Sequence, residues 1–460
     1  MLEMYDFTPK RMYERVGILG LLTVLILFGT HSGIFSLTAF AISALVVVFD
    51  KSHFKLMMMT YLMLMAHVFC ISPDGMSYFT FLMFLYVGIN LAEERSILWI
   101  AVFFILYVVI VQLLRSQFNY KEDLKLIGNV LFIGHSLSEI HSFNEDERKR
   151  VSITFIVAVL VSSYMRSFDS SFFRISAFTE SLNEEGYGAG VERIVRFSGL
   201  YQDPNYYSVN LIAALCLIVI LHYKGNTSKL FCVASAGVIL YYGSLTYSKS
   251  FLLMLLLPLA AFLYANHRIG RYDVQVISIL MIVAAIVLVL LINPDYLTRM
   301  LRRVESKDSI TTGRSELWLL YLDGTYQKPD ILLFGSGIGS KLLFDHAPHN
   351  SYVDLLYHLG VCGSSLLIAV IVSSGIRYSN NVRKNFLNFS VLLSIAFTYF
   401  FLSQLHSYEF PVHLMLSYMV LNQWDLSNQS DLNGNYACQP LVPDLRDNHI
   451  KTLISLEERE

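Results

Sequence analysis

Four short segments hold the residues whose types and spacing are suited to chemistry. The first, 196–207, contains Arg196, Gly199 and the run Asp203-Pro204-Asn205. Asp and Asn are good helix N-caps and Pro suits a first helical turn, so a helix is expected to start here. Gly199 permits backbone to approach a ligand closely. A capped helix explains Asp203 to Asn205 but not the arginine beside them. A helix N-terminus next to Arg196 makes an anion site. The second segment is the turn 245–250, Leu-Thr-Tyr-Ser-Lys-Ser, with Lys249 as its one cation. That lysine either joins the anion site or snorkels to a membrane surface.

The third segment is 311–318, in which Arg314 and Trp318 fall one helical turn apart. Trp318 is also the residue type that anchors helices at a membrane interface. The glycine-rich run 333–339 follows, but no Gly-Lys-Ser/Thr completes a phosphate loop, so it is not read as a nucleotide site. The fourth segment, 347–352, contains His349, Asn350 and Tyr352 at the start of a long apolar run. A histidine in this place is either a hydrogen-bonded structural residue or a group that moves protons near neutral pH.

The elements that position these segments are membrane helices. Of 460 residues 55% are hydrophobic and 15% charged, and the mean hydropathy is +0.51. Soluble domains average about 45–50% apolar and about 25% charged residues. Apolar runs cover 16–30, 34–49, 56–71, 76–91, 97–114, 124–140, 151–165, 206–222, 230–247, 251–266, 274–292, 352–376, 386–402 and 410–424. The run at 124–140 is the weakest, because Asn129, His135 and Glu139 interrupt it. A span needs roughly 20 apolar residues, and only helices or closed barrels satisfy the backbone inside lipid. The expected fold is an all-α polytopic membrane protein of about 13–14 transmembrane helices. Two extracytoplasmic loops interrupt it, the second large and partly helical.

The expected organisation is N-terminal helices at 1–165, a first outer loop at 166–205 and central helices at 206–292. A large outer loop at 293–349, C-terminal helices at 350–424 and a flexible cytoplasmic tail at 425–460 complete it. Lys and Arg in the short loops favour both termini inside, which places both long polar stretches outside. No small-residue cleavage site follows the first apolar run, so a cleaved signal peptide is not expected. The net charge of −2 shows no bias toward nucleic acid. Cys70, Cys216, Cys232, Cys362 and Cys438 have no metal-ligand spacing and read as packing residues. The arginines of the two outer loops suit bidentate phosphate recognition, or they simply solvate those loops.

Taken in order, Arg196, Gly199, Asp203-Pro204-Asn205, Thr246 to Lys249, Gly313-Arg314, Trp318, Gly335-Ser-Gly337, Pro348-His349-Asn350, Tyr352 and Gly360 to Gly363 resemble the O-antigen polymerase and O-antigen ligase superfamily of bacterial envelope glycosyltransferases. The resemblance spans about the last 60% of the chain. Lys249 departs from it, since the family more often has Arg there. That exchange keeps the charge and loses the fork.

The resemblance implies an inverting, metal-independent glycosyltransferase of the bacterial cytoplasmic membrane, with its site facing outside. It implies a polyprenyl-diphosphate-linked oligosaccharide as donor and membrane lipids as surroundings. It also implies a chain-length regulator protein as a candidate partner, and neither cofactor nor metal. Catalytic roles then fall to Arg196, Arg314 and His349, the arginines on the diphosphate and the histidine on the acceptor hydroxyl or leaving phosphate. Lys249, Arg193, Asp203, Asn205, Asn350, Tyr352 and Trp318 are the expected substrate-binding set. Polymerisation of repeat units into surface polysaccharide is the leading expectation, and ligation of finished glycan to a lipid A core or protein is its rival. A transporter or flippase fits less well, because mid-span charges are scarce.

Overall fold

The computed structural model describes residues 9–93, 99–116, 118–179, 184–185, 194–224, 227–269, 314–340, 347–378, 386–400, 402 and 407–421. The expected span at 274–292, most of the second polar stretch, Arg193, Cys438 and the tail lie outside them. The tail, Asp425–Glu460, forms a separate unit from Met1–Trp424.

The described helices are α1 (Pro9–Gly29), α2 (Gly33–Phe49), α3 (Phe54–Met63), α4 (Tyr78–Glu93), α5 (Trp99–Arg115), α6 (Tyr120–His141), α7 (Glu145–Met165) and α8 (Ile175–Thr179). After them come α9 (Pro204–Tyr223), α10 (Lys229–Leu245), α11 (Lys249–Met254) and α12 (Leu256–Ile269). The last are α13 (Arg314–Tyr326), α14 (Pro329–Phe334), α15 (Ser351–Tyr378), α16 (Phe386–Tyr399) and α17 (Glu409–Leu421). A two-residue antiparallel pairing of Glu184–Glu185 with Ile194–Val195 leads directly into Arg196.

Among the described residues, five helical stretches are long and apolar enough to cross a membrane: Arg11–Gly29, Glu145–Phe168, Pro204–Tyr223, Lys249–His267 and Ser351–Ser373. Shorter apolar helices, α2 and α17 among them, accompany these. The helices also keep large apolar side chains on their outer faces. On α5, Trp99, Phe103, Leu106, Ile110 and Leu113 are all exposed at three- and four-residue steps. A continuous stripe of this kind is the surface that lipid covers.

Two helices form the hubs of the bundle. The chain segment of α9 is apolar on every side, and it packs against α7, α10, α12 and α16. The other hub, α6, packs against α4, α15 and α17, and α17 joins the hubs through α16. The polar residues that weaken 124–140 as a span are taken up by neighbours. Asn129 donates to the Ser407 carbonyl at 2.9 Å, Glu139 receives the Tyr86 hydroxyl, and His135 lies edge-on to the Tyr86 ring.

Two expected spans differ in form. The run 56–71 is helical only to Met63, and successive turns then carry the chain to Tyr78. Ser77 draws those turns back by donating to the Ala66 carbonyl at 2.6 Å. The run 352–376 is one helical path broken at Gly360, where φ is +64°.

That break is matched by the glycine-rich run after α14. The break frees carbonyls of α15, and remote groups satisfy them. Ser336 N–H donates to the Tyr357 carbonyl at 2.9 Å and Gly337 N–H to the His358 carbonyl at 3.1 Å. The Tyr107 hydroxyl on α5 lies 2.6 Å from the Leu359 carbonyl and 2.8 Å from that of Phe334. A side chain fits at neither facing glycine, since a Cβ on Gly335 would sit 2.2 Å from the His358 oxygen and one on Gly360 would sit 2.4 Å from the Gly335 nitrogen. Ile338 then plugs into a buried cluster with Phe104, Val108, Leu126, Val130 and Leu359. The run discounted as a nucleotide signal is therefore a clamp across a broken helix.

Candidate functional site

The first two segments meet at Arg196. The strand pairing delivers it, and it is 3% exposed. Its Nε donates to the Thr246 carbonyl at 2.9 Å and its Nη2 to Asn205 Oδ1 at 3.1 Å. The same Asn205 oxygen accepts the Ser248 hydroxyl at 2.8 Å, and Ser248 and Ser250 hydroxyls are 2.7 Å apart. Phe197 N–H also donates to the Leu245 carbonyl at 3.0 Å. A guanidinium and an amide thus fasten the start of α9 to the turn between α10 and α11.

Local chemistry sets both partners. Asp203 is the N-cap of α9, its carboxylate accepting the Asn205 N–H at 2.7 Å, with Pro204 in the first turn. Ser248 caps α11 by accepting the Phe251 N–H, and Lys249 is that helix's first residue. Between the two, Tyr247 has φ +46°, a conformation that costs of order 1–3 kcal/mol and persists only where surroundings impose it.

The third and fourth segments meet in the same manner. The indole N–H of Trp318 donates to the Pro348 carbonyl at 2.7 Å, and its ring lies edge-on to Phe400 with centroids 4.9 Å apart. His349 follows with φ +50°. Asn350 is 2% exposed and caps α15, accepting the N–H groups of Tyr352 and Val353 at 2.9 and 3.2 Å. Tyr352 points outward, half exposed, and its hydroxyl donates to the Ala396 carbonyl of α16 at 3.0 Å. Ser351 fastens the same corner by donating to the Leu402 carbonyl.

Tyr206, in the first turn of α9, relates the two pairs. Its hydroxyl lies in the electrostatic field of Asp203, Asp354, Glu409 and Arg314 together. Arg314 and Asp203 thus bear electrostatically on one side chain, although 110 residues separate them in sequence.

The geometry divides the expected site residues by circumstance. Arg196, Asn205, Asn350 and Trp318 spend described donors or acceptors on the scaffold. Arg314, Lys249 and His349 are partly accessible, and Arg193 lies outside the described residues. Tyr206 and Ser248 lie inside the segments marked in the sequence but had no role assigned there, and Asp354 lies outside them. Asp354 is 4% exposed and reaches His358 Nε2 at 3.4 Å, one turn along α15. Among the described residues no group of three His, Cys, Asp or Glu side chains is placed to hold a metal ion.

No family model, curated protein or solved structure matches the chain.

Proposed function

We propose that the chain is a membrane glycosyltransferase that polymerises polyprenyl-diphosphate-linked oligosaccharide repeat units into a surface polysaccharide. In this reading about 13–14 helices span the bacterial cytoplasmic membrane, and the four polar segments face outside. The observation that carries the reading is the pairwise joining of those segments. Arg196 ties 196–205 to 245–250, and Trp318 ties 314–318 to 348–352.

The chemistry asks little of the protein beyond placement and charge. The donor's leaving group is already a diphosphate. Arg314 and Lys249, partly accessible, hold it, and Arg196 fixes the turn on which Lys249 stands. His349 orients the acceptor hydroxyl or supports the departing phosphate. Attack of the hydroxyl on the anomeric carbon, opposite the departing diphosphate, inverts that centre. Positioning and electrostatic stabilisation then supply most of the rate. A membrane-embedded enzyme suits a donor whose tail is itself a membrane lipid.

The test is purified protein incubated with a synthetic polyprenyl-diphosphate oligosaccharide and resolved on a gel. A ladder of products supports polymerisation. A single transfer to a lipid A core or protein acceptor supports the ligase reading instead, and no product at all supports transport. Arg314→Ala and His349→Ala are expected to abolish the ladder. Full elongation by either variant removes that residue from the site.

A further inference from the structure

Glu409 opens α17 and is completely buried. No described donor meets its carboxylate oxygens in full hydrogen-bond geometry, although His67 and the Tyr201 hydroxyl both approach it. Its ion-pair partner is His67, whose Nε2 lies 3.6 Å from Oε1. The two side chains differ in access: that of Glu409 is 1% exposed and that of His67 26%. A buried carboxylate behind a partly open imidazole is the arrangement that fixes a ring's orientation and compensates the charge it acquires on taking a proton.

The pair stands beside the first of the joined segments. The His67 ring is 4.8 Å from the Tyr201 ring, and Tyr201 belongs to the turn that runs from Gly199 to Asp203. Glu409 shares the field around Tyr206 with Asp203, Arg314 and Asp354. His67 owes its place to the early end of α3, because the turns after Met63 carry it to the head of α17.

We infer that His67 is the proton acceptor of the transfer and that Glu409 is its positioning residue, an assignment that rests on the glycosyltransferase reading above. The acceptor hydroxyl oxygen forms the new bond to the anomeric carbon. The bond from that carbon to the diphosphate oxygen breaks, and its electron pair leaves with the diphosphate. The hydroxyl proton passes to Nδ1 of His67, the ring nitrogen not paired with Glu409, and Glu409 balances the imidazolium. His349 keeps its role of orienting the hydroxyl or supporting the phosphate. Among the described residues, Tyr201 and Tyr408 contact the His67 ring, and Tyr206, Tyr399, His413 and Lys125 interact electrostatically with Glu409. Of these, His413 is already engaged with Asn210 at 2.9 Å.

The experiment measures elongation by full-length protein in lipid nanodiscs across pH, for wild type, His67→Gln, Glu409→Gln and Glu409→Asp. A rate limb that falls toward acid is expected in the wild type. His67→Gln is expected to lower kcat by about a hundredfold or more with little change in donor KM, and to flatten that limb. Glu409→Gln should lower kcat less and displace the limb, and Glu409→Asp should restore it in part. A wild type that elongates without an acid limb overturns the inference without needing any variant to fold. So does a His67→Gln protein with wild-type kcat, and both results leave the glycosyltransferase reading standing. A wild type that makes no glycosidic product at all fails that reading first, and the inference with it.

Discussion

Trp318 holds Pro348 by its backbone, indole N–H to carbonyl at 2.7 Å, so the residue just before His349 is set by a helix thirty positions away. Trp318→Phe keeps the ring against Phe400 and deletes the donor. A hydrogen bond of this kind contributes about 1 kcal/mol. Stability is expected to fall by about that amount and, on the glycosyltransferase reading, elongation to slow. Trp318→Ala, which also loses the packing, should cost more of both. Gel-resolved rates and melting curves of the two variants check this.

Arg196 and Asn205 act as one unit, and their mutations are not expected to add. Arg196→Lys keeps the charge but cannot reach Thr246 and Asn205 together in the same fork. A double-mutant cycle with Asn205→Ala should give a coupling of about 0.5–3 kcal/mol in unfolding free energy. Strict additivity would mean that the contact contributes nothing to holding the two turns together.

Gly360→Ala is expected to be severe. The residue has φ +64°, and an added Cβ would fall 2.4 Å from backbone. The conformational cost alone is of order 1–3 kcal/mol, before the overlap is relieved. Gly237→Ala is the control, because its added carbon meets nothing within 4 Å. In detergent, the first variant should melt well below wild type and the second at or above it.

His53, the residue that leads into α3, gives a pH dependence of known sign. Burial pushes its imidazole down, but the hydrogen bond with Glu139 and the charges of Glu139 and Glu147 outweigh burial and the opposing Lys55, so the net shift is upward. A group raised on folding contributes stability that is complete below its unfolded value. That contribution fades as pH rises from the ordinary histidine value through the raised one. Melting temperature should therefore decline over that interval, and His53→Gln should remove the decline. An unchanged profile in His53→Gln would assign it to other groups.

Helix content and the placement of most apolar runs were legible, because a run of apolar residues long enough to cross lipid leaves its mark without any tertiary information. The cap of α9 was legible too, since Asp203-Pro204-Asn205 encodes it locally. The early end of α3 was not, because hydropathy continues through 64–71 while the backbone turns. The glycine run at 333–339 has no meaning apart from the break at Gly360 that it covers. The pairing of His67 with Glu409 was not legible, since it spans some 340 positions. Arg196 was visible as a cation beside a helix start. That its fork is spent on Thr246 and Asn205 depends on a turn 50 residues away.

The break in α15 bears on how the protein is assembled. Inside hydrocarbon an unsatisfied backbone carbonyl is expensive. The Leu359 carbonyl waits for a tyrosine made 252 residues earlier, and those of Tyr357 and His358 wait for the segment at 336–337. When α15 leaves the ribosome, both partners already exist, but α15 is complete only once they have docked against it. On the membrane-spanning reading, closing the break in α15 is expected to depend on the placement of α5. A chain with α5 misplaced would carry exposed carbonyls in lipid, a defect open to membrane quality control.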